Sequence, residues 1–167
     1  MPLADAIIAE LEREGKSTAR ILERVPREKF AWKPHEKSMS LGQLAWHIAN
    51  LPSAALRMLR DGRVEVGKAR PAANPDETQD LVEVFHRNLE TLKSALLETS
   101  DAALMERFSF TRDGEPLTSF PKLGMLRTVL LNHSYHHRGQ LTVYLRLLDI
   151  PVPAMYGRSA DESAFDR

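Results

Sequence analysis

Apolar residues recur at helical spacing in four long stretches of the chain, separated by breaks that carry proline or glycine. The first stretch runs from Leu3 to about Val25. Ile7, Ile8, Leu11, Thr18, Ile21 and Leu22 form its stripe, and Glu10, Glu12, Arg13, Glu14 and Lys16 form the opposite face. Pro26 ends it. Ser40 and Gln43 have the spacing of a capping box and start a second helix that reaches Leu59 or Arg60. Its stripe is Leu41, Leu44, Ile48, Leu51, Ala55, Met58 and Leu59, with His47 on or beside it. Pro52 removes a backbone donor and predicts a kink about a turn beyond His47.

Asp61-Gly62 stops this helix, and residues 62–75 read as a polar crossover loop. Asp76 to Gln79 predicts the next N-cap, followed by a third helix to about Glu98 with Leu81, Val82, Val84, Phe85, Leu89 and Leu92 on its core face. Phe108 to Thr111 alternates like a strand, Asp113-Gly114 is a hairpin turn signal, and Leu117 to Phe120 is the return strand. Pro116 makes this an edge hairpin. The fourth helix runs from about Pro121 to Leu148. On it, Leu126, Leu130, His133, His137, Leu141, Tyr144 and Leu148 share one stripe, and Arg127, Thr128, Tyr135, Arg138, Thr142 and Arg146 lie opposite. The tail from Pro151 is extended. The pattern predicts an all-α fold in one domain over residues 1–167. The expected architecture is a four-helix bundle with a long crossover between helices two and three and a small hairpin before helix four.

Composition narrows the function classes. Twenty-three basic and 23 acidic residues among 167 are mixed along the chain, and no basic patch speaks for nucleic-acid binding. There is no cysteine, which excludes disulfides, thiolate metal sites and a cysteine nucleophile, so thiol chemistry would need an external thiol. The first residues lack the basic and apolar regions of a signal peptide, and no apolar run has transmembrane length. The expectation is a cytoplasmic protein with no membrane partner.

The candidate chemistry lies in the histidines. His133 and His137 are four residues apart, one above the other on the apolar stripe, at the spacing with which two imidazoles hold one metal ion. The alternative is a pair of hydrogen-bonded core histidines, but leucine neighbours supply no polar partners. His47 alone fits either role. Ser134 and His136 stand where zinc-protease motifs carry a glutamate, so the helix offers ligands without a carboxylate base. His35 and His86 read as exposed bystanders. Trp46, Tyr144 and Tyr156 line a cavity or belong to the plain core.

Three stretches are familiar together: Leu44-Ala45-Trp46-His47-Ile48-Ala49, the run Leu131 to Leu141 with its His136-His137-Arg138-Gly139-Gln140, and Pro151 to Gly157 with Ser159 to Glu162 behind it. In these the chain resembles the DinB-like superfamily of damage-inducible, metal-binding four-helix proteins, which includes the YfiT-like thiol transferases. The resemblance implies a three-histidine site of His47, His133 and His137, with His136 outside it. It implies a divalent metal ion, zinc or nickel first and iron or manganese next, and a homodimer. It further implies a metal-dependent S-transferase that joins a small external thiol, such as bacillithiol or mycothiol, to a small-molecule substrate. Arg138, Gln140 and Tyr156 are then candidates for substrate binding, although the phase of Arg138 suggests a structural ion pair on the polar face. Where many members carry an acidic residue a turn after the first histidine, this chain has Asn50-Leu51-Pro52. The runner-up is a metal-binding stress or detoxification protein without catalysis. The third possibility is a fold with purely structural histidines.

Overall fold

A computed structural model of the chain describes residues 2–67, 73–76 and 78–163. Helix α1 spans Leu3–Leu22, and its first turn is tied down by Leu3, whose N–H donates to Asp101 Oδ1 at 2.8 Å. A 3-10 turn, Arg27–Lys29, leads to α2, Leu41–Asp61. The capping box forms as its spacing predicts: the Gln43 N–H donates to Ser40 Oγ at 3.1 Å and the Ser40 N–H to Gln43 Oε1 at 2.9 Å. Gly62 closes α2 in the left-handed conformation at φ 65°, and the helix continues unbroken through Pro52.

α3 spans Leu81–Leu97 and begins one turn later than the sequence pattern suggests. Its N-cap is Asp80, whose carboxylate accepts from the N–H groups of Val82 and Glu83. Asp76 instead closes a local turn on Thr78 and Gln79. Residues 68–72 of the expected crossover loop lie outside the described residues. A short helix, α4, follows at Asp101–Met105.

The expected all-α four-helix bundle is overturned by a three-stranded mixed sheet, β1 (Arg63–Glu65), β2 (Arg107–Arg112) and β3 (Glu115–Pro121), in the order β1-β2-β3. β2 and β3 form the antiparallel hairpin across Asp113 and Gly114, both at positive φ as a two-residue turn requires. β3, with Pro116, is an edge strand. β1 pairs parallel to β2, Val64 opposite Phe110. A parallel pair needs a long connection, and here α3 and α4 supply it. Phe108, fully buried, carries the sheet into the core with Phe110 and Phe120 at ring distances of 5.1 and 5.7 Å.

The last helical run is α5 (Lys122–Met125), a π-helical segment (Leu126–Asn132) and α6 (His133–Leu147). The core is continuous, from Ile7, Leu11 and Ile21 through Leu44, Ile48, Leu89 and Leu92 to Leu126, Leu130 and Leu141. Two polar exceptions correct the expected faces. Glu14, placed on the polar side of the first helix, is buried, and so is Arg138, only 2% exposed. Both lie where α1 meets α6 and the tail.

Candidate metal centre

Two elements bring the three histidines together. His47 projects from α2, whose start is set by the capping box. His133 is the first residue of α6, directly after the π segment, and His137 follows one turn later on the same face. One ligand nitrogen from each residue lies within 4.8 Å of the others. The Nε2 atoms of His47 and His133 are 3.4 Å apart, and those of His133 and His137 are 2.5 Å apart. His137 is buried and the other two are half-buried. Among the described residues no Cys, Asp, Glu or further His joins the group.

The electrostatics keep these imidazoles neutral at pH 7. Burial, reinforced by the facing His137 and His133, pushes the His47 pKa down to about 4. Burial, with His136 nearby, lowers that of His133. His137 is lowered by burial against the raising effect of its bond to Gln140. That bond settles its tautomer. Nδ1 lies 2.7 Å from Gln140 Oε1, and a carbonyl oxygen only accepts, so Nδ1 carries the proton and the Nε2 lone pair faces His133.

This donor set fits a divalent cation. Three neutral nitrogens turn toward one another, with no carboxylate among them, and a cation satisfies three lone pairs where a proton satisfies two. A tetrahedral ion with Zn–N near ~2.0–2.1 Å would hold its ligands about 3.3 Å apart, close to the His47–His133 separation, whereas the His133 and His137 nitrogens, 2.5 Å apart, would have to part by about 0.8 Å to share it. Gln140 then stands as the outer partner that fixes ring orientation in many histidine metal sites. The turns on either side carry the buried Leu44, Leu51, Leu130 and Leu141.

The remaining expectations divide. His35, His86 and His136 are exposed and outside the cluster. Ser134 donates back to Leu130 O at 2.6 Å, so its hydroxyl is spent on its own helix. A turn after His47, Asn50 donates to Trp46 O and accepts from Asn88, so two amides hold each other there. Tyr144 donates to Met39 O and meets Trp32 edge-on, while Trp46 is a half-buried part of the core. The Tyr156 ring is 70% exposed, and its hydroxyl joins Glu14 and Arg138. Sequence reasoning missed Glu14, although it lies three residues after Leu11 and seven after Ile7, in phase with the buried stripe.

The sequence and the fold have known counterparts. The chain is 27% identical over 164 residues to YrdA of Bacillus subtilis (strain 168), covering 96% of this chain and 92% of that protein. Its fold is similar to the crystal structure of a DinB-like protein from Bacillus cereus ATCC 10987, with a TM-score of 0.72 at 24% identity over 91% of this chain and 97% of that one. It is also similar to that of the DinB-like protein YjoA from Bacillus subtilis, with a TM-score of 0.67 at 20% identity over 92% of this chain and 99% of that one. The model of the DinB family matches residues 1–167, the whole sequence, and the chain therefore belongs to the DinB family.

Proposed function

We propose that His47, His133 and His137 bind one divalent cation, zinc or nickel first and iron or manganese next, and that the protein is a metal-dependent transferase for a small external thiol. The observation that carries the metal reading is the closed group of three neutral imidazoles with no fourth protein ligand among the described residues. A cation held there would have open positions, and it would lower the pKa of a bound thiol so that the nucleophilic thiolate prevails near neutral pH. The chain has no thiol of its own to occupy those positions. Its residues would do the holding. Gln140 keeps the His137 proton on Nδ1, and α2 sets His47 opposite.

Metal analysis of the purified protein beside His137→Ala tests the site. The expected result is one bound cation per chain in the wild type and none in the variant. A wild type that takes up no divalent ion at micromolar concentration would end this reading. A second reading, cation binding without catalysis, is favoured by one observation: among the described residues no carboxylate joins the three rings. A scan of low-molecular-weight thiols with an electrophilic acceptor separates the two. Metal-dependent conjugation supports the transferase, and its absence with every thiol leaves the binding protein.

A further inference from the structure

On the side of α6 turned toward α1, a second polar group is buried that the metal reading does not use. The Arg138 guanidinium donates from Nη1 to Glu14 O at 2.9 Å and to Thr18 Oγ1 at 3.2 Å. Its Nη2 meets Glu14 Oε2 at 2.5 Å and also the Tyr156 hydroxyl, which in turn donates to Glu14 Oε2. The rings of Tyr135 and Tyr156 flank the cation, 5.1 and 5.4 Å from its central carbon. One turn toward the N-terminus of α1, Glu10 accepts from Arg127 at 2.8 Å and from Tyr135 at 2.5 Å. Two acids on one face of α1 thus hold two arginines and a tyrosine of the last helical run.

This arrangement is costly as a source of stability. A buried ion pair gives back little more than the desolvation it requires, and well-packed apolar residues often serve as well. Arg138 Nε is moreover buried without a partner. What the pair supplies is direction: a planar fork bound at both terminal nitrogens, with two mutually perpendicular tyrosine rings against it, has one orientation. The helix needs such a fix. Between α5 and α6 the backbone follows the i→i+5 ladder of the π segment, so the rotation of α6 about its axis is not inherited from a continuous α-helix. Arg138 is also the residue next to His137, about 100° round the same turn.

We propose that Glu14, Arg138 and Tyr156 are positioning residues for the histidine centre. They fix the rotation of α6, so that α1 and the C-terminal tail set the cation affinity of a site on a neighbouring face of that helix. The proposal rests on the metal reading for its affinity readout and on the metal-free protein for its second.

The test compares wild type with Glu14→Leu/Arg138→Met, Arg138→Lys and Tyr156→Phe. Each keeps all three histidines. Zn²⁺ and Co²⁺ affinities are measured by competition with a chromophoric chelator, urea midpoints on the metal-free proteins, and histidine tautomers by ¹⁵N NMR. The double variant removes the pair without stranding a charge and is expected to keep its urea midpoint. Its cation affinity should fall at least about tenfold, the range seen when outer partners of metal ligands are lost. Arg138→Lys keeps the charge but loses the fork, and Tyr156→Phe loses one bond, so both should show smaller losses in the same direction. If the double variant does not fold, these two carry the test. Wild-type affinity in every folded variant overturns the proposal. If the wild type itself binds no cation, the metal reading fails separately. The NMR readout then decides: His137 should be a single Nδ1–H tautomer in the wild type and a mixture in the variants. A single tautomer throughout would refute the positioning role.

Discussion

At the scale of single residues, burial acts on all three histidines in the same direction. Each has its pKa pushed below the ordinary value of 6.5, His47 to about 4. The unfolded chain therefore binds more protons than the folded one between roughly pH 4 and 6.5, and stability rises with pH through that window. Urea midpoints of chelator-treated protein should fall from pH 7 to pH 5, and the fall should shrink in His47→Gln. An equal slope in both proteins would show that these imidazoles do not carry it. The Glu14 carboxyl, which burial alone would raise, is held below its usual value by Tyr156 and Arg138, so its contribution is lost only at lower pH. Gln140→Leu should release His137 Nδ1 and weaken cation binding about tenfold while leaving the fold intact, as competition titration would read. Helical phase made the His133/His137 pair legible, whereas His47 fitted either role by phase and joined the set only through the family resemblance. The burial of Arg138 was not legible. Phase on a regular α-helix puts it among polar residues, and only the pairing with Glu14 explains why it is inside.

At the scale of elements, local signals served where they were complete. Ser40 and Gln43 mark the start of α2, and Asp113-Gly114 marks the hairpin, because each motif bonds within a few residues of itself. Ser40→Ala should lower stability by about 1 kcal/mol, a loss of roughly 2–4 °C in Tm for a chain of this size, measurable by calorimetry. An unchanged Tm would mean that the cap is dispensable. Two elements gave no such signal. β1 is three residues with one apolar side chain, and its partner strand lies beyond α3 and α4. The π segment has the leucine-rich sequence of an ordinary helix, and nothing in it announces i→i+5 bonding. The N-cap of α3 fell between two aspartates with similar surroundings, and Asp80 rather than Asp76 is the one followed directly by the apolar stripe.

At the scale of the whole molecule, the chain combines long helices with a small mixed sheet, and no helix among the described residues is long and apolar enough to cross a membrane. α1 is joined to the end of the chain by charge. Arg20 and Arg24 hold Glu162, Arg20 also donates to Ala154 O, and Arg146 on α6 holds Asp161. Exposed pairs of this kind contribute little singly. A cation at the histidines would add a further tie between α2 and α6, which already pack together through these rings. Adding Zn²⁺ at a hundred times its Kd should stabilise the fold by about 2.7 kcal/mol, and His47→Ala should abolish that gain. A Tm that ignores zinc in the wild type would show that the histidines bind no ion in the folded state.

His47 and His133 are 86 residues apart in the chain. On the ribosome the first of them is made long before the second, and α3, α4 and the sheet strands must emerge between the two. A growing chain therefore holds only one of the three ring nitrogens until His133 has been made. All three nitrogens come together only when α2 and α6 dock, so a cation held by the three would be captured at or after that docking rather than by the first histidine as it emerges.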